Sequence, residues 1–408
     1  MALALFRSNE QEEDGIVQIA MFTTDFPELP PFFHEHGSTW WGGVGVVAYK
    51  LALQLARFGH CVEVATSGAV DRDQVSSIEN VRVHRYQSNF RLGATEVSLK
   101  LLCGSLEKRP DVVHAHSGSP PGLFGGWIAA NRFRVPLVVT LHGDLFLERR
   151  TPIQSMILRS YSVLERFILS QASTIIVLTE AGMKSRELTN WKSKVRVIPN
   201  GVDPANRSDS GVKARARSLL GIPLDAKVCL FVGTLNYRKG ADILLKAAEL
   251  IRKGTQGVLI VMAGHAPDLN ELLSTITNFS EVDGAVRVEG FVDEARKRLL
   301  CEAADLLIVP SRLEGLPLII LEAFASGLPV LASDIEPLKA VIDIGRNGLC
   351  FAAGDSSDLA AKVTATLNDH EFLERLGRGA YETATHYSWS VVAEHTARLY
   401  EMVSRGQD

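Results

Sequence analysis

Short apolar runs rich in β-branched residues alternate with longer amphipathic stretches along most of this chain, and that alternation restricts its fold more than any other feature. In the first half the runs are VQIAMFTT (17–24), CVEVATS (61–67), VRVHRYQ (81–87), VVHAHS (112–117), PLVVTLH (136–142), TIIVLT (174–179) and VRVIPN (195–200). The second half continues with KVCLFVGTL (227–235), VLIVMAGH (258–265), VRVEGFV (286–292), LLIVPS (306–311) and PVLAS (329–333). Strands that are apolar on both faces and separated by helices pair in parallel, with helices covering both sides of the sheet. So many strands predict two doubly wound α/β sheets facing each other across a cleft, and 408 residues exceed one ordinary core. The boundary is expected just after VIPNGVDP, where an Asn-Gly turn and a proline give way to the polar ANRSDSGVKARAR. The expected organisation is a disordered leader (1–15), a first domain (16–203), a second domain (204–385) and a terminal helical segment (386–408).

A net charge of −4 argues against non-specific nucleic-acid binding, which needs a basic excess. No apolar run approaches the roughly 18 residues that span a bilayer. MALALFRSNEQEEDG carries a very short apolar patch followed by acids, unlike a signal peptide, so a cytoplasmic location is expected. Cys61, Cys103, Cys229, Cys301 and Cys350 are scattered without CxxC or zinc spacing and read as buried free thiols of a reducing compartment.

In open α/β sheets ligands bind beyond the carboxyl ends of the strands, so those ends hold the candidates. GVGVVA (43–48) formally fits a dinucleotide fingerprint, but eighteen residues, DFPELPPFFHEHGSTWWG, separate it from Thr24, and Glu63 falls inside a strand. A glycine-tipped loop with amides at a helix N-terminus, open to an anion, is the better reading. In GTLNYRKG (233–240), Arg238 and Lys239 stand near a helix N-terminus, where cations oppose the helix dipole unless an anion joins them. His114 and His116 alternate on one strand and face one side, without a third ligand for a metal. His142 ends another strand in TLHGD and is the better cleft candidate. The helical stretch 148–173, with arginines at 149, 150, 159 and 166, is read as an ordinary domain helix with a solvated face; peripheral contact with a membrane face is its other reading. Aromatic-rich PPFFHEHGSTWW suits contact with an acceptor.

RLEGLPLIILEAFASGLPV (312–330) places Glu314 ahead of a helix started at Pro317 and Glu322 inside it. The amides of Gly315, Leu316 and Leu318 are expected to present an anion site. Carboxylates repel phosphate and suit hydroxyls, so the spacing fits a ligand with hydroxyls on both sides of a diphosphate, a nucleotide sugar.

From about Val17 onward the chain resembles the family 4 retaining glycosyltransferases of the GT-B fold, two Rossmann-like domains across a cleft. The likeness rests on Glu314 and Glu322 in PSRLEGLPLIILEAFASGLPV, with VIPNGVD, GGVG, TLHG, RKG, ADLLIVPS and GRNGLCF. It implies a hexosyltransferase for a polysaccharide or glycoconjugate, taking a UDP, GDP or ADP sugar, with no required cofactor or metal and no protein nucleophile. The acceptor is a sugar, a lipid-linked group or a small molecule; the donor, acceptor and oligomeric state are not specified. The resemblance assigns Glu322 to the ribose and Glu314 to the donor sugar. Gly315, Leu316 and Leu318 go to the diphosphate, Arg238 and Lys239 to the leaving group, and His142 to the sugar site. A loop of Gly42, Gly43 and Gly45 is expected to close on the phosphates, the base to be read around Gly290, Phe291 and Val292, and Trp40, Trp41 and His116 to lie on the acceptor side. The final helix is expected to cross back to the first domain. Thr234 departs from the arginine that many members carry there, a role Arg238 is placed to assume. An epimerase on the same scaffold, or a nucleotide-sugar binder without turnover, are the alternative readings.

Overall fold

The computed structural model describes residues 15–24, 26, 43–92, 95–118, 120–143, 152–203, 211–266 and 284–406. The strands in chain order are β1 (Gln18–Phe22), β2 (Cys61–Gly68), β3 (Gln74–Ile78), β4 (Val81–Gln87), β5 (Phe90–Leu92), β6 (Thr95–Val97), β7 (Val112–His116), β8 (Leu137–Leu141), β9 (Thr174–Val177) and β10 (Val195–Val197). After a break of helix and turn come β11 (Lys227–Val232), β12 (Val258–Ala263), β13 (Val286–Gly290), β14 (Leu306–Val309), β15 (Val330–Ser333) and β16 (Gly348–Phe351).

These strands form an eight-stranded sheet in the order β10-β9-β8-β7-β1-β2-β4-β3 and a six-stranded sheet in the order β13-β12-β11-β14-β15-β16. Within these two sheets the pairs are parallel except β3 with β4, and β5 and β6 form a separate antiparallel pair. Both sheets reverse direction partway, the first between β1 and β7, the second between β11 and β14. At such a reversal adjacent crossovers run to opposite faces and leave a crevice at the carboxyl ends. The fold therefore dictates where two sites can open: after β1 and β7, and after β11 and β14.

The apolar runs become central strands because both faces are covered. In β11, Val228 and Leu230 join one core cluster, Cys229 and Phe231 another. In β1, Ile19 and Met21 face one way, Ala20 and Phe22 the other. The helices that matter for the site are α1 (Gly43–Arg57), α2 (Pro120–Phe133), α3 (Pro152–Gln171), α4 (Ala241–Gly254), α5 (Glu294–Ala303), α6 (Leu318–Ala325) and α7 (Trp389–Ser404). No helix among the described residues is long and apolar enough to cross a membrane.

Helix α7 follows the second sheet in sequence, yet Trp389, Val392, Leu399 and Tyr400 sit in the core with α1 and β1. Its entry is fixed by a parallel bridge between Val202 and Ser388, with Val202 N–H donating to the Tyr387 carbonyl at 2.7 Å. The Trp389 ring lies directly against Gly201. Three features differ from the sequence reading. β3, QVSSI, is a mostly exposed antiparallel edge strand, so it lacks the apolar signature used to find the others. β16 is a four-residue strand beginning with glycine. Cys61 and Cys103 are exposed, whereas Cys229 and Cys301 are buried.

Trp389 is 3% exposed. Trp389→Ala is expected to cost about 3–5 kcal/mol, the range for emptying a large aromatic from a core. Urea unfolding measures it; a loss below about 1 kcal/mol would show that the α7 anchor lies elsewhere.

Candidate active site

The loops after β11 and β14 meet at the reversal of the second sheet. Gly240, which opens α4, has φ +71, and a Cβ there would lie 1.9 Å from the Pro310 carbonyl, so only glycine lets the two loops touch. Arg312 clamps the contact. Its N–H donates to the Arg238 carbonyl at 2.9 Å, its guanidinium forks onto Asp242 at 2.7 and 2.8 Å, and it lies 3.7 Å over the Tyr237 ring. Burial pushes the Asp242 carboxyl up, but the Arg312 fork outweighs it and holds the group below its ordinary value.

Held this way, Lys239 Nζ donates to Glu314 Oε1 at 2.6 Å, and Ser311 Oγ donates to the same oxygen at 2.7 Å. Glu314 is buried. The next residue, Gly315, meets the first sheet: a Cβ on it would stand 2.6 Å from the His142 carbonyl oxygen. Asn200 Nδ2 donates to the Leu316 carbonyl at 2.8 Å, tying the segment between the sheets to the same loop. Helix α6 then starts with Pro317 as its N-cap and no side-chain cap, leaving its first amides without a side-chain acceptor. A cavity of about 510 Å³ adjoins the junction, lined by Ser117, Gly143, Arg166, Thr179, Trp191 and Glu314.

Glu322 projects from an otherwise apolar helix. Lys297 Nζ, from α5, donates to Glu322 Oε1 at 2.8 Å and to Glu294 Oε1 at 2.8 Å, while Glu322 Oε2 is buried without a partner. Burial raises the Glu322 carboxyl and outweighs the lowering by Lys297. Burial pulls Lys297 down, but the two carboxylates more than offset this and raise it. Lys297 is thus held charged beside the two carboxyl groups, and one oxygen of Glu322 is left over.

On the facing sheet the histidines form a packed group. His116 Nδ1 and His142 Nε2 are 2.9 Å apart, with the ring planes 24° from parallel. His114 lies behind, its Nε2 2.7 Å from Thr140 Oγ1 and its Nδ1 2.5 Å from Tyr400 Oη on α7. Burial pushes His142 down to about 4 and His114 down to about 3, and it holds His116 well below the ordinary range. All three are neutral near pH 7.

Lys239, Glu314, Gly315 and His142 therefore converge, with Arg238 and Leu316 in the same loops and Leu318 opening α6. Gly290 ends β13 and accepts from Gly264 N at 2.7 Å, and Phe291 beside it is exposed; with Val292 they stand on the same carboxyl edge. Two expectations need correction. His116 is fully buried, so it cannot touch an acceptor; it backs His142. Gly43 and Gly45 belong to the first turn of α1, not to a loop, because the helix begins earlier than the glycines suggest. Trp40, Trp41 and Gly42 lie outside the described residues. Sequence reading missed Lys297, Arg312 and Asn200. Arg312 stands two residues before Glu314 and Asn200 inside the quoted VIPNGVD, so both were within reach; Lys297 in the charge-rich EARKRLL carried no distinguishing signal.

Among the described residues one His/carboxylate group has metal-ligand geometry, Glu63, His84 and Glu107. It sits around β2 and β4, with His84 paired to Glu63 and Arg82 to Glu107, and shares no residue with the cleft.

The histidine shifts carry a stability consequence. An unfolded histidine titrates near about 6.5, and a lowered folded value means that the unfolded state takes up protons first. Stability is therefore full above about 6.5 and falls as the pH drops toward the folded values. Urea midpoints at pH 7.5 and 5 are expected to fall less for His114→Gln than for the unaltered protein; equal losses would remove the histidine linkage.

The chain matches the family model "Glycosyl transferases group 1" over residues 212–383 and "Glycosyl transferase 4-like domain" over residues 42–201. It is 30% identical to a D-inositol 3-phosphate glycosyltransferase of Nocardioides sp., covering 88% of this chain and 83% of that protein. It is 27% identical to a glycogen synthase of Mycobacterium tuberculosis, covering 90% and 92%. Among solved structures, a sucrose-phosphate synthase of Thermosynechococcus elongatus superposes with a TM-score of 0.77 at 22% identity, covering 95% of this chain and 99% of that one. An Anabaena protein solved with UDP and glucose gives 0.72 at 20% identity, covering 94% and 99%.

Proposed function

This chain belongs to the glycosyl transferases group 1 family, a GT-B enzyme, and we propose that it moves a hexosyl unit from a nucleoside-diphosphate sugar to a hydroxyl acceptor with retention at the anomeric carbon. The observation that carries the reading is the meeting of Lys239, Glu314 and the uncapped start of α6 with His142 across the cleft. The diphosphate is received by the amides of Gly315, Leu316 and Leu318 and by Arg238 and Lys239. Arg238 supplies the guanidinium that Thr234 does not. Glu322, partly exposed beside Lys297, takes the ribose hydroxyls. Glu314 and His142 take the donor sugar.

Glu314 is Lys239's counter-charge. A diphosphate draws the ammonium toward itself and releases carboxylate capacity for sugar hydroxyls. As the sugar–phosphate bond breaks, charge grows on the leaving oxygen, where fixed cations and amides act most strongly. The acceptor oxygen bonds to the same face of the anomeric carbon while its proton passes to that leaving phosphate oxygen. No protein nucleophile enters, and the cations and amides cover the charge that a metal would otherwise meet. The names of the similar proteins support sugar transfer and a uridine nucleotide among the candidates.

A screen of UDP-, GDP- and ADP-sugars for nucleotide release, with and without EDTA, tests the reading. One donor is expected to support acceptor-dependent release that EDTA leaves unchanged. Release abolished by EDTA and restored by magnesium would overturn the metal-independent reading; no release from any donor would overturn the activity. Lys239→Ala is expected to lower kcat about 10²–10³-fold, as for a lost transition-state donor, and to weaken donor binding far less. Normal turnover in that variant would sink its leaving-group role.

A further inference from the structure

The histidine pair holds an unresolved question of one proton. Two neutral imidazoles facing each other at 2.9 Å share a single hydrogen, so either His116 donates from Nδ1 or His142 donates from Nε2. The two arrangements present opposite chemistry to a ligand. If His116 donates, His142 carries its own proton on Nδ1 and meets a ligand as a donor. If His142 donates, its Nδ1 is bare and meets a ligand as an acceptor.

The burial of His116 decides between them. Its second nitrogen, Nε2, is buried and has no partner. The ring is flanked edge to edge by His142, 5.2 Å between centroids with the planes 24° apart, and by His114 at 4.4 Å. His114 has committed both of its nitrogens, to Tyr400 and Thr140. Placing the His116 proton on Nε2 would bury an N–H with no acceptor, an arrangement that native structures scarcely tolerate. Placing it on Nδ1 leaves only a lone pair unmet and completes the bond to His142.

We propose that His116 is a positioning residue that fixes His142 as its Nδ1–H tautomer, so that His142 meets the donor sugar as a hydrogen-bond donor. The device is anchored from a distance. His116 is the last residue of β7, His114 stands two residues earlier on the same face, and Tyr400 on α7 holds His114 in place. A donating His142 requires an oxygen acceptor on the sugar at that position, and it ties the proton inventory of the cleft to groups that never touch the ligand. The part concerning the sugar rests on the transfer activity proposed above; the tautomer does not.

Long-range 1H–15N spectra of the whole protein labelled with 15N-histidine read the tautomer directly. His142 is expected to carry its proton on Nδ1, and His116→Phe, which keeps a ring but removes the donor, is expected to move it to Nε2. His142 protonated on Nε2 in the unaltered protein would overturn the proposal. In turnover, His116→Phe is expected to lower kcat about 10–100-fold through loss of orientation while leaving affinity for the released nucleoside diphosphate within about twofold, since that ligand is held by the other sheet. His116→Asn, whose amide nitrogen takes the place of Nδ1, is expected to recover most of the loss. Equal impairment in both variants, or none in His116→Phe, would overturn the positioning role. If His116→Phe does not fold, the spectrum of the unaltered protein and the His116→Asn rates still decide. A chain that transfers no sugar with any donor would overturn the activity while leaving the spectrum to settle the tautomer.

Discussion

Gly315 and the His142 carbonyl approach so closely that a single methyl group would not fit between them. That contact is where the two sheets touch at the level of backbone, and the geometry of the site follows from it. Glu314 is the residue before it, the uncapped start of α6 follows, and His142 completes it from the other side. Larger side chains at the contact would separate the loops and hold the two halves of the site apart. The close approach is possible because both sheets reverse their strand order and direct their crevices toward each other.

Around that contact the protein balances its charges internally before any ligand arrives. Lys239 is matched by Glu314, Lys297 by Glu322 and Glu294, and Arg312 by Asp242. These couples differ in kind. Arg312 and Asp242 form a forked, two-bond link reinforced by an aromatic face, suited to holding a loop. Lys239 and Glu314 form a single flexible contact that a stronger anion can redistribute. Rigid pairing and exchangeable pairing thus lie within one loop junction.

Much of this was legible in the sequence. The central strands announced themselves because burial on both faces leaves unbroken apolar runs, and the residues at their carboxyl ends were candidates by position alone. Glu314 and Glu322 stood out as the two acids of a segment that is otherwise uncharged after Arg312. The failures have physical causes. β3, QVSSI, is mostly polar and exposed at an edge, so it resembles a loop. His116 looked like a cleft residue because period-two spacing gives a side of the sheet but not a depth, and here that side is covered by α7. Lys297 lies in a run of charges, where one buried cation cannot be told from its solvated neighbours. The glycines of α1 suggested a loop because their composition outweighed the helix signal that follows them.

The position of α7 has a consequence for how the chain is made. Residues 389–404 are synthesised long after β1 and α1, yet their side chains complete the core built around those elements. Until residues 389–404 have left the ribosome, that core has an open apolar face. Folding of the first half therefore cannot finish as an independent event during synthesis, as domains often do. It must await the contacts of α7 with β1 and α1, far apart in sequence, whose loop closure is entropically slow. The second sheet, whose strands lie between, has no such wait. In this protein the half that begins first is the half that is completed last.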